Sequence, residues 1–280
     1  SFHARALGVS ACERRRDADA SWPTHEKCSA EATREEGKQG PFAQPYDGPV
    51  RACRNMLAFP KKQVGGKDVG GNLEKILHSH ITRKFSRALA DEHATQCAAV
   101  ATARKTVVED AKAGSNNHPD EVVRARLVQY YRLIRGLELR FEAIGVQFMW
   151  RDSFQQVVKM GEADFSFEAA AALFNLAAET SRAAIYSDRS NEEGLREACL
   201  NFRKAAGILG VLLGLVEGAP WGGRCTVDLQ PCTLRLLQHV MLAQAQRCFY
   251  EKAVRDAISP KLLVKLAKQL QLFYSDAEQK

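Results

Sequence analysis

The residues best suited to chemistry in this sequence do not stand at catalytic or metal-binding spacings. His78 and His80 could suggest a metal site, but residues two apart point to different sides of a helix, so we interpret both as surface residues. Glu162 and Asp164 could suggest paired carboxylates, yet they fit a solvated acidic loop without a third group. No nucleophile elbow or oxyanion motif is legible. The sequence therefore predicts a protein that is not an enzyme and has no metal, cofactor or small-molecule substrate.

The eight cysteines point to a reduced compartment. None forms a Cys-x-x-Cys pair, and no histidine lies at zinc-finger spacing from them. Cys199 and Cys248 fall on apolar helical faces, where a free cysteine behaves as a small hydrophobic residue. No apolar run approaches the roughly 20 residues that span a bilayer. We therefore expect a cytoplasmic protein.

The charge of the chain is mildly basic and dispersed. Lysine and arginine number 40 against 33 acidic residues, which gives a net charge of +7. Such a surplus suits weak contact with an acidic membrane surface or an acidic partner. It is a poor nucleic-acid footprint, because no stripe of basic residues alternates with aromatics.

A few residues near the carboxyl end could contact a partner. Phe249 lies at the edge of the apolar stripe of a predicted helix, and Leu262 and Leu266 stand one turn apart on the next. Glu192 and Arg196 are also one turn apart, with the acid first. Spacing alone favours the core for the three apolar residues and a surface salt bridge for the charged pair. The alternative is an apolar groove with a polar rim.

The elements that must position these residues are almost all helices. Residues 1–55 are polar and proline-punctuated, and we expect them to be disordered or an unrelated leader. Helical patterns follow from Asn72 onward, and Phe148, Trp150 and Phe154 are the expected core anchors between them. The helices are predicted to cover 81–113 and 167–186, and to start at Pro119, Asn191, Pro231 and Pro260.

Consecutive antiparallel pairs from residue 167 would stack as a tetratricopeptide-like solenoid. The last helix has no cap, so we expect 56–280 to form one domain that is truncated at its carboxyl end.

Several motifs in a fixed order carry a family resemblance. The chain resembles the BRO-one domain family, that of Alix, Brox, rhophilin and the His-domain tyrosine phosphatase, over residues 56–280. The motifs are Met56-Leu-Ala-Phe-Pro-Lys-Lys, Leu127-Val-Gln-Tyr-Tyr-Arg-Leu, Phe148-Met-Trp-Arg-Asp-Ser-Phe, Phe167-Glu-Ala-Ala-Ala-Ala-Leu-Phe-Asn-Leu-Ala-Ala, Glu193-Gly-Leu, Lys204-Ala-Ala-Gly and Met241-Leu-Ala-Gln-Ala-Gln.

The resemblance implies a mainly α-helical, boomerang-shaped solenoid with a small β-sheet near its start, and strand character around 56–62 and 146–151. It also implies a non-catalytic adaptor that binds the carboxyl-terminal amphipathic helix of an ESCRT-III subunit, the charged multivesicular body protein of type four. Such a protein acts in endosomal sorting and membrane scission, and is recruited from the cytoplasm to endosomal membranes.

Carried onto this chain, the apolar patch of the family falls on Phe249, Leu262 and Leu266, and its polar positions fall on Glu192 and Arg196. The alternatives left open are a rhophilin-like signalling scaffold and a basic module that binds membrane surfaces.

Overall fold

The computed structural model describes residues 56–66, 72–112, 119–141 and 144–279. The predictions for residues 1–55 lie outside this part of the chain. The described elements are eight α-helices, two β-strands and two short 3₁₀ turns. In chain order they are α1 (Leu73–Lys84), α2 (Arg87–Glu92), α3 (Ala94–Lys112), α4 (Glu121–Glu138), β1 (Phe148–Arg151), β2 (Lys159–Glu162), α5 (Phe165–Tyr186), α6 (Glu192–Glu217), the 3₁₀ turns Gly222–Arg224 and Val227–Leu229, α7 (Pro231–Arg255) and α8 (Pro260–Glu278).

Local capping signals set most of the helix starts. The Asn191 side chain accepts a hydrogen bond from the Gly194 N–H at 2.8 Å and begins α6, as the sequence predicts. Pro231 and Pro260 occupy the first turns of α7 and α8, also as predicted. Helix α4 begins two residues after the predicted Pro119, because Asp120 is its N-cap.

The helix predicted over 81–113 is wrong, since three helices cover this region. Ser86 is extended and its hydroxyl accepts from the Leu89 N–H at 3.1 Å, which starts α2 as a separate helix. A second break at His93 separates α2 from α3. A serine hydroxyl can bind nearby backbone groups in place of the helical hydrogen bonds. A serine can therefore interrupt a predicted helix and begin a new one.

A two-stranded antiparallel sheet precedes the longest helices. Phe148 pairs with Glu162 and Arg151 with Lys159, so the strand predicted around 146–151 is confirmed. The strand predicted at 56–62 is displaced, because the sheet is joined by Val64, which bridges to Trp150. The main fold prediction, a mostly helical chain with a small sheet, is confirmed.

Helix α5 is the centre of the core. Every residue from Phe165 to Ala184 is buried, and α4, α6 and β1 pack on it. Phe148 and Trp150 are buried beside it as predicted, but Phe154 is 45% exposed and the prediction for it is wrong. The chain turns away after β1, because the Asp152 carboxylate accepts from the N–H groups of Phe154 and Gln155 at 2.8 and 2.9 Å.

Burial of α5 requires its acidic and amide groups to be paired. Glu168 is fully buried and accepts hydrogen bonds from Arg104 at 3.0 Å, from the Tyr130 hydroxyl at 2.7 Å and from the Trp150 indole. One carboxylate thereby joins α3, α4, β1 and α5. Its satisfied hydrogen bonds are what permit a charge in this core.

Two side-chain amides hold segment 57–62, which belongs to no helix or strand, in place. The Asn175 amide accepts from the Lys62 N–H at 2.6 Å and donates to the Lys62 carbonyl at 3.1 Å. Gln244 of α7 does the same at Leu57, with its Nε2 2.9 Å from the Leu57 carbonyl oxygen. We call these two pairs the amide clamps. They satisfy backbone groups that the sheet does not reach.

One described helix, α6, is long and apolar enough to cross a membrane by length and composition, with a mean hydropathy of 1.5 over its best 18-residue window. The expectation that no segment is long enough to span a bilayer rested on uninterrupted apolar runs, and polar residues interrupt α6. Helix α6 packs between α5 and α7. Core helices share this composition, so the finding is weak evidence for a membrane span.

Candidate partner-binding surface

The turn between α7 and α8 fixes how these two helices meet. The Ala257 N–H donates to the Val254 carbonyl and the Ile258 N–H donates to the Ala253 carbonyl, both at 3.2 Å. This is the hydrogen-bond pattern of a Schellman motif, which reverses the chain after a helix. Ala257 has a φ of 50°, the left-handed conformation that the motif needs. Helix α8 therefore folds back along α7.

A side-chain hydrogen bond gives the register of the two helices. The Gln246 Nε2 donates to the Gln269 Oε1 at 3.3 Å. Phe249 lies three residues nearer the turn on α7, and Leu266 lies three residues nearer the turn on α8. Residues three apart lie on neighbouring positions of a helix face, so we infer from this register that Phe249 and Leu266 lie at a similar level along the two helices. Leu262 is one further turn along the same face of α8.

These three apolar residues lie between the core and the solvent. Phe249 and Leu266 are half-buried, and Leu262 is 38% exposed. Their neighbour Cys248 is fully buried, so the stripe of α7 is core while Phe249 is at its edge. The register and the exposure together indicate that Phe249, Leu262 and Leu266 lie along one edge of the α7–α8 hairpin. We call this set the apolar edge.

Charged residues border the apolar edge, but not in the predicted pairing. Glu192 Oε1 lies 2.8 Å from the Lys252 Nζ of α7, and Lys252 also binds Asp256 at 2.9 Å. The expected salt bridge between Glu192 and Arg196 is wrong. Arg196 is exposed and forms no ion pair within 4 Å in the described part of the chain. Glu192 pairs with Lys252 and not with Arg196, because Asp256, one turn away at the end of α7, also holds the Lys252 ammonium group in position.

Lys252 is the residue that the sequence analysis missed. It follows Phe249 by three residues, so it lies on the same face of α7. Its burial acts to lower the pKa of its ammonium group, but the hydrogen bonds to Glu192 and Asp256 outweigh burial and raise the pKa. The four-residue spacing of Lys252 and Asp256 indicates a local ion pair in the sequence. No sequence pattern indicates that Lys252 also pairs with Glu192 on another helix.

The arrangement suits binding better than catalysis. It combines apolar side chains with both signs of charge, and a helix that carries apolar anchors and charged flanks is the usual ligand of such a surface. Among the described residues, no group of three histidine, cysteine or acidic side chains could hold a metal ion.

The rejected candidates have structural roles. His78 binds Asp91 at 2.8 Å, whereas His80 is buried with its ring edge-on to Phe141, so the prediction of two surface histidines is wrong for His80. Asp164 caps α5 through the Ser166 N–H at 2.7 Å. Glu162 lies in β2 and not in a loop, with Arg224 at 3.4 Å.

A family model for the BRO1-like domain matches residues 56–280. The chain belongs to this family. It is 34% identical over 230 residues to the ALG-2 interacting protein X of Dictyostelium discoideum, which covers 80% of this chain and 27% of the relative. It is 33% identical to the vacuolar-sorting protein BRO1 of Arabidopsis thaliana, over 79% of this chain and 26% of the relative. The chain therefore spans about a fifth to a quarter of the length of the curated relatives it matches.

Solved structures support the same fold. A complex of ALIX BRO1 with CHMP4C has a TM-score of 0.63 to this chain at 26% identity, and the match covers 79% of this chain and 63% of that one. The fold and the family predicted from the sequence motifs are therefore confirmed. The assignment of Phe249, Leu262, Leu266, Glu192 and Arg196 to a binding site stays a prediction.

Proposed function

We propose that this chain is a non-catalytic adaptor that binds the carboxyl-terminal amphipathic helix of an ESCRT-III subunit, of the charged multivesicular body type four. It would act in endosomal sorting and membrane scission as a cytoplasmic protein recruited to endosomal membranes. Membership in the BRO1-like family supports this proposal, and so does the fold shared with ALIX BRO1, which is known in complex with CHMP4C.

The observation that carries the proposal is the apolar edge. Large apolar residues on two packed helices normally bury each other, yet Phe249 and Leu266 are only half-buried and Leu262 keeps 38% of its surface exposed. A partner helix that placed leucine or methionine side chains there would remove the remaining apolar surface from water. Lys252 and its two carboxylate partners would then fix the register of the partner helix through its charges.

The proposal is tested by Leu262→Asp, with Val264→Asp as a matched control. Both residues lie in the first turns of α8, but they are two positions apart and so point to different sides. Val264 is the more exposed of the two at 68%. We expect Leu262→Asp to weaken binding of the ESCRT-III tail peptide about 30-fold or more, the loss typical of a hot-spot residue. Val264→Asp should leave the affinity unchanged.

Isothermal titration calorimetry with the synthetic tail helix gives both affinities, and circular dichroism confirms that both variants are folded. Equal affinities of the wild type and a folded Leu262→Asp variant would contradict the assignment of this surface. Equal losses in both variants would show that added negative charge, and not the apolar edge, weakens binding.

A second candidate function rests on the outer side of α8. Lys261, Lys265 and Lys268 are all exposed and recur at helical spacing, with exposed Val264 and Leu272 beside them. Lysines combined with large apolar residues suit the surface of an acidic bilayer, where each lysine contributes about 1 kcal/mol. We therefore propose an acidic membrane surface as the second partner.

Vesicle sedimentation separates the two candidates. A triple change of Lys261, Lys265 and Lys268 to glutamine should abolish binding to vesicles that contain phosphatidylserine and leave tail-helix affinity intact. Vesicles of phosphatidylcholine alone provide the control. Binding that survives the triple change, or that does not weaken with added salt, would contradict the membrane candidate.

A further inference from the structure

Two cysteines share a cleft at the opposite end of α7 from the apolar edge. The cleft measures about 450 Å³ and is formed where α6 ends and α7 begins, with Cys225, Cys232, Glu217 and Gln230 among its lining residues. Cys232 precedes Phe249 by 17 positions on α7, which separates the two sites by about 26 Å. The cleft is therefore independent of the partner-binding surface.

These two thiols are the accessible ones among the described cysteines. Cys97, Cys199 and Cys248 are buried, and burial raises the pKa of each, for Cys199 to about 11. A buried thiol in apolar surroundings reacts slowly. Cys232 is exposed and Cys225 is half-buried, so oxidants reach this cleft before the other described thiols.

The segment between the two cysteines is anchored in the core. Asp228 is fully buried, where it forms an ion pair with Lys62 and accepts from the Ser153 N–H at 2.7 Å. This anchor holds Cys225 and Cys232 on either side of one short loop. Cys225 follows the turn Gly222–Arg224 and Cys232 opens α7, so both thiols line the same cleft with six residues between them.

The two thiols have different environments. The Cys225 Sγ donates to the Gly222 carbonyl at 3.0 Å, and burial raises the pKa of this thiol. Cys232 lies in the first turn of α7 with an exposed side chain, whose Sγ is 3.7 Å from the Gln230 Oε1. Exposure favours Cys232 as the thiol that meets the oxidant, and the protected Cys225 is placed to react second.

We propose that Cys232 and Cys225 form a peroxide-reactive thiol pair that closes into a disulfide across this cleft. The Cys232 sulfur attacks hydrogen peroxide, so an S–O bond forms, the O–O bond breaks and water leaves. The Cys225 sulfur then attacks the sulfenic sulfur, so the S–S bond forms, the S–O bond breaks and a second water leaves. Two thiols are oxidised and one peroxide is reduced to two waters.

Trypsin provides a direct test, because the sequence places both cysteines in one peptide. Cleavage after Arg224 and Arg235 releases residues 225–235, which contain no other lysine or arginine. The full chain is treated with hydrogen peroxide, and its free thiols are alkylated with iodoacetamide. It is then digested with trypsin without reduction, and mass spectrometry gives the mass of the peptide. We expect it to be lighter by two hydrogen atoms than the reduced, unalkylated peptide and to carry no alkyl group.

Two single variants identify the order of the steps. Cys225→Ser should leave Cys232 as a sulfenic acid that dimedone traps, whereas Cys232→Ser should leave Cys225 unoxidised and fully alkylated. A peptide with two alkyl groups after peroxide, or cysteines linked to other parts of the chain, would overturn the proposal. Neither result touches the proposed adaptor function, which tail-peptide titration measures at the other end of α7.

Discussion

Helices α5 and α8 differ chiefly in how completely other elements surround them. All of α5 from Phe165 to Ala184 is buried, whereas Ala277 is the one buried residue of α8. Helix α5 packs on α4, α6 and β1, while α8 packs mainly on α7 in the described part of the chain. Polar groups on α5 must therefore find partners inside the protein. Apolar groups on α8 stay half-exposed and available to a partner.

The comparison predicts that stability resides in α5 and binding in α8. A change in the core around α5 should lower the free energy of unfolding, whereas a change on the apolar edge should mainly lower affinity. The following four changes test this division, from the largest expected effect to the smallest.

Glu168→Ala should be the most damaging change. It removes the acceptor shared by Arg104, Tyr130 and Trp150 and leaves a buried guanidinium without its carboxylate. The free energy of unfolding, measured in urea, should fall by about 3–5 kcal/mol. The exposed Glu197→Ala on α6 should change it by less than about 0.5 kcal/mol. A loss below about 1 kcal/mol for Glu168→Ala would show that α5 does not dominate stability.

Asp152→Asn should lower stability in a pH-dependent way. Burial acts to raise the pKa of Asp152, but the N–H groups of Gln155, Asp228 and Phe154 and the nearby Lys62 outweigh burial and lower the pKa. The folded-state pKa thus lies below the unfolded value. The stabilisation is fully present above the unfolded pKa of about 4 and is lost as pH falls through the folded-state pKa.

Unfolding curves of the wild type and Asp152→Asn should therefore differ by about 1–3 kcal/mol at pH 7 and converge in acid. An asparagine cannot accept at both positions, because its NH₂ group would face the N–H of Asp228 or those of Phe154 and Gln155. A difference that stays constant from pH 7 down to pH 3 would refute the carboxylate's role.

Phe249→Ala and Phe174→Ala compare the same truncation at the apolar edge and in the core. Phe174 is fully buried on α5, and its truncation should lower the free energy of unfolding by about 3–5 kcal/mol. Phe249 is half-buried, and its removal should cost about 1 kcal/mol of stability and a larger share of tail-helix affinity. Thermal unfolding and titration of the same samples separate the two effects. Equal stability losses would place Phe249 in the core.

Ala257→Gly should have the smallest effect and the opposite sign. Ala257 holds a φ of 50°, which a residue with a Cβ adopts at a cost and glycine adopts freely. We expect a gain of about 0.5–1 kcal/mol in urea unfolding, without a change in affinity. A loss of stability would indicate that the turn is not limited by this backbone strain.

Local signals predicted much of the fold. Asn191, Pro231 and Pro260 start helices because their own side chains or rings act on the nearest backbone groups. The prediction that Phe154 is buried is wrong, also because of a local hydrogen bond. Phe154 follows Phe148 and Trp150 at even spacing in the sequence, but the Asp152 carboxylate turns the chain between Trp150 and Phe154.

Long-range pairing is where prediction from the sequence stopped. Glu168 joins residues from three other elements, and helical periodicity carries no information about which they are. The choice of Lys252 over Arg196 as the partner of Glu192 likewise depends on how α6 and α7 cross. The half-exposure of Leu262 depends on what packs beside it, so periodicity alone assigned it to the core.

One of the amide clamps can form only late during synthesis on the ribosome. Leu57 is held by a side chain 187 positions later in the chain. At about 5–20 residues per second, the chain segment that carries Gln244 emerges roughly 10–40 s after Leu57 does. During that interval Leu57 has no Gln244 amide to receive its backbone groups. The backbone groups of Leu57 therefore gain this partner only late in synthesis.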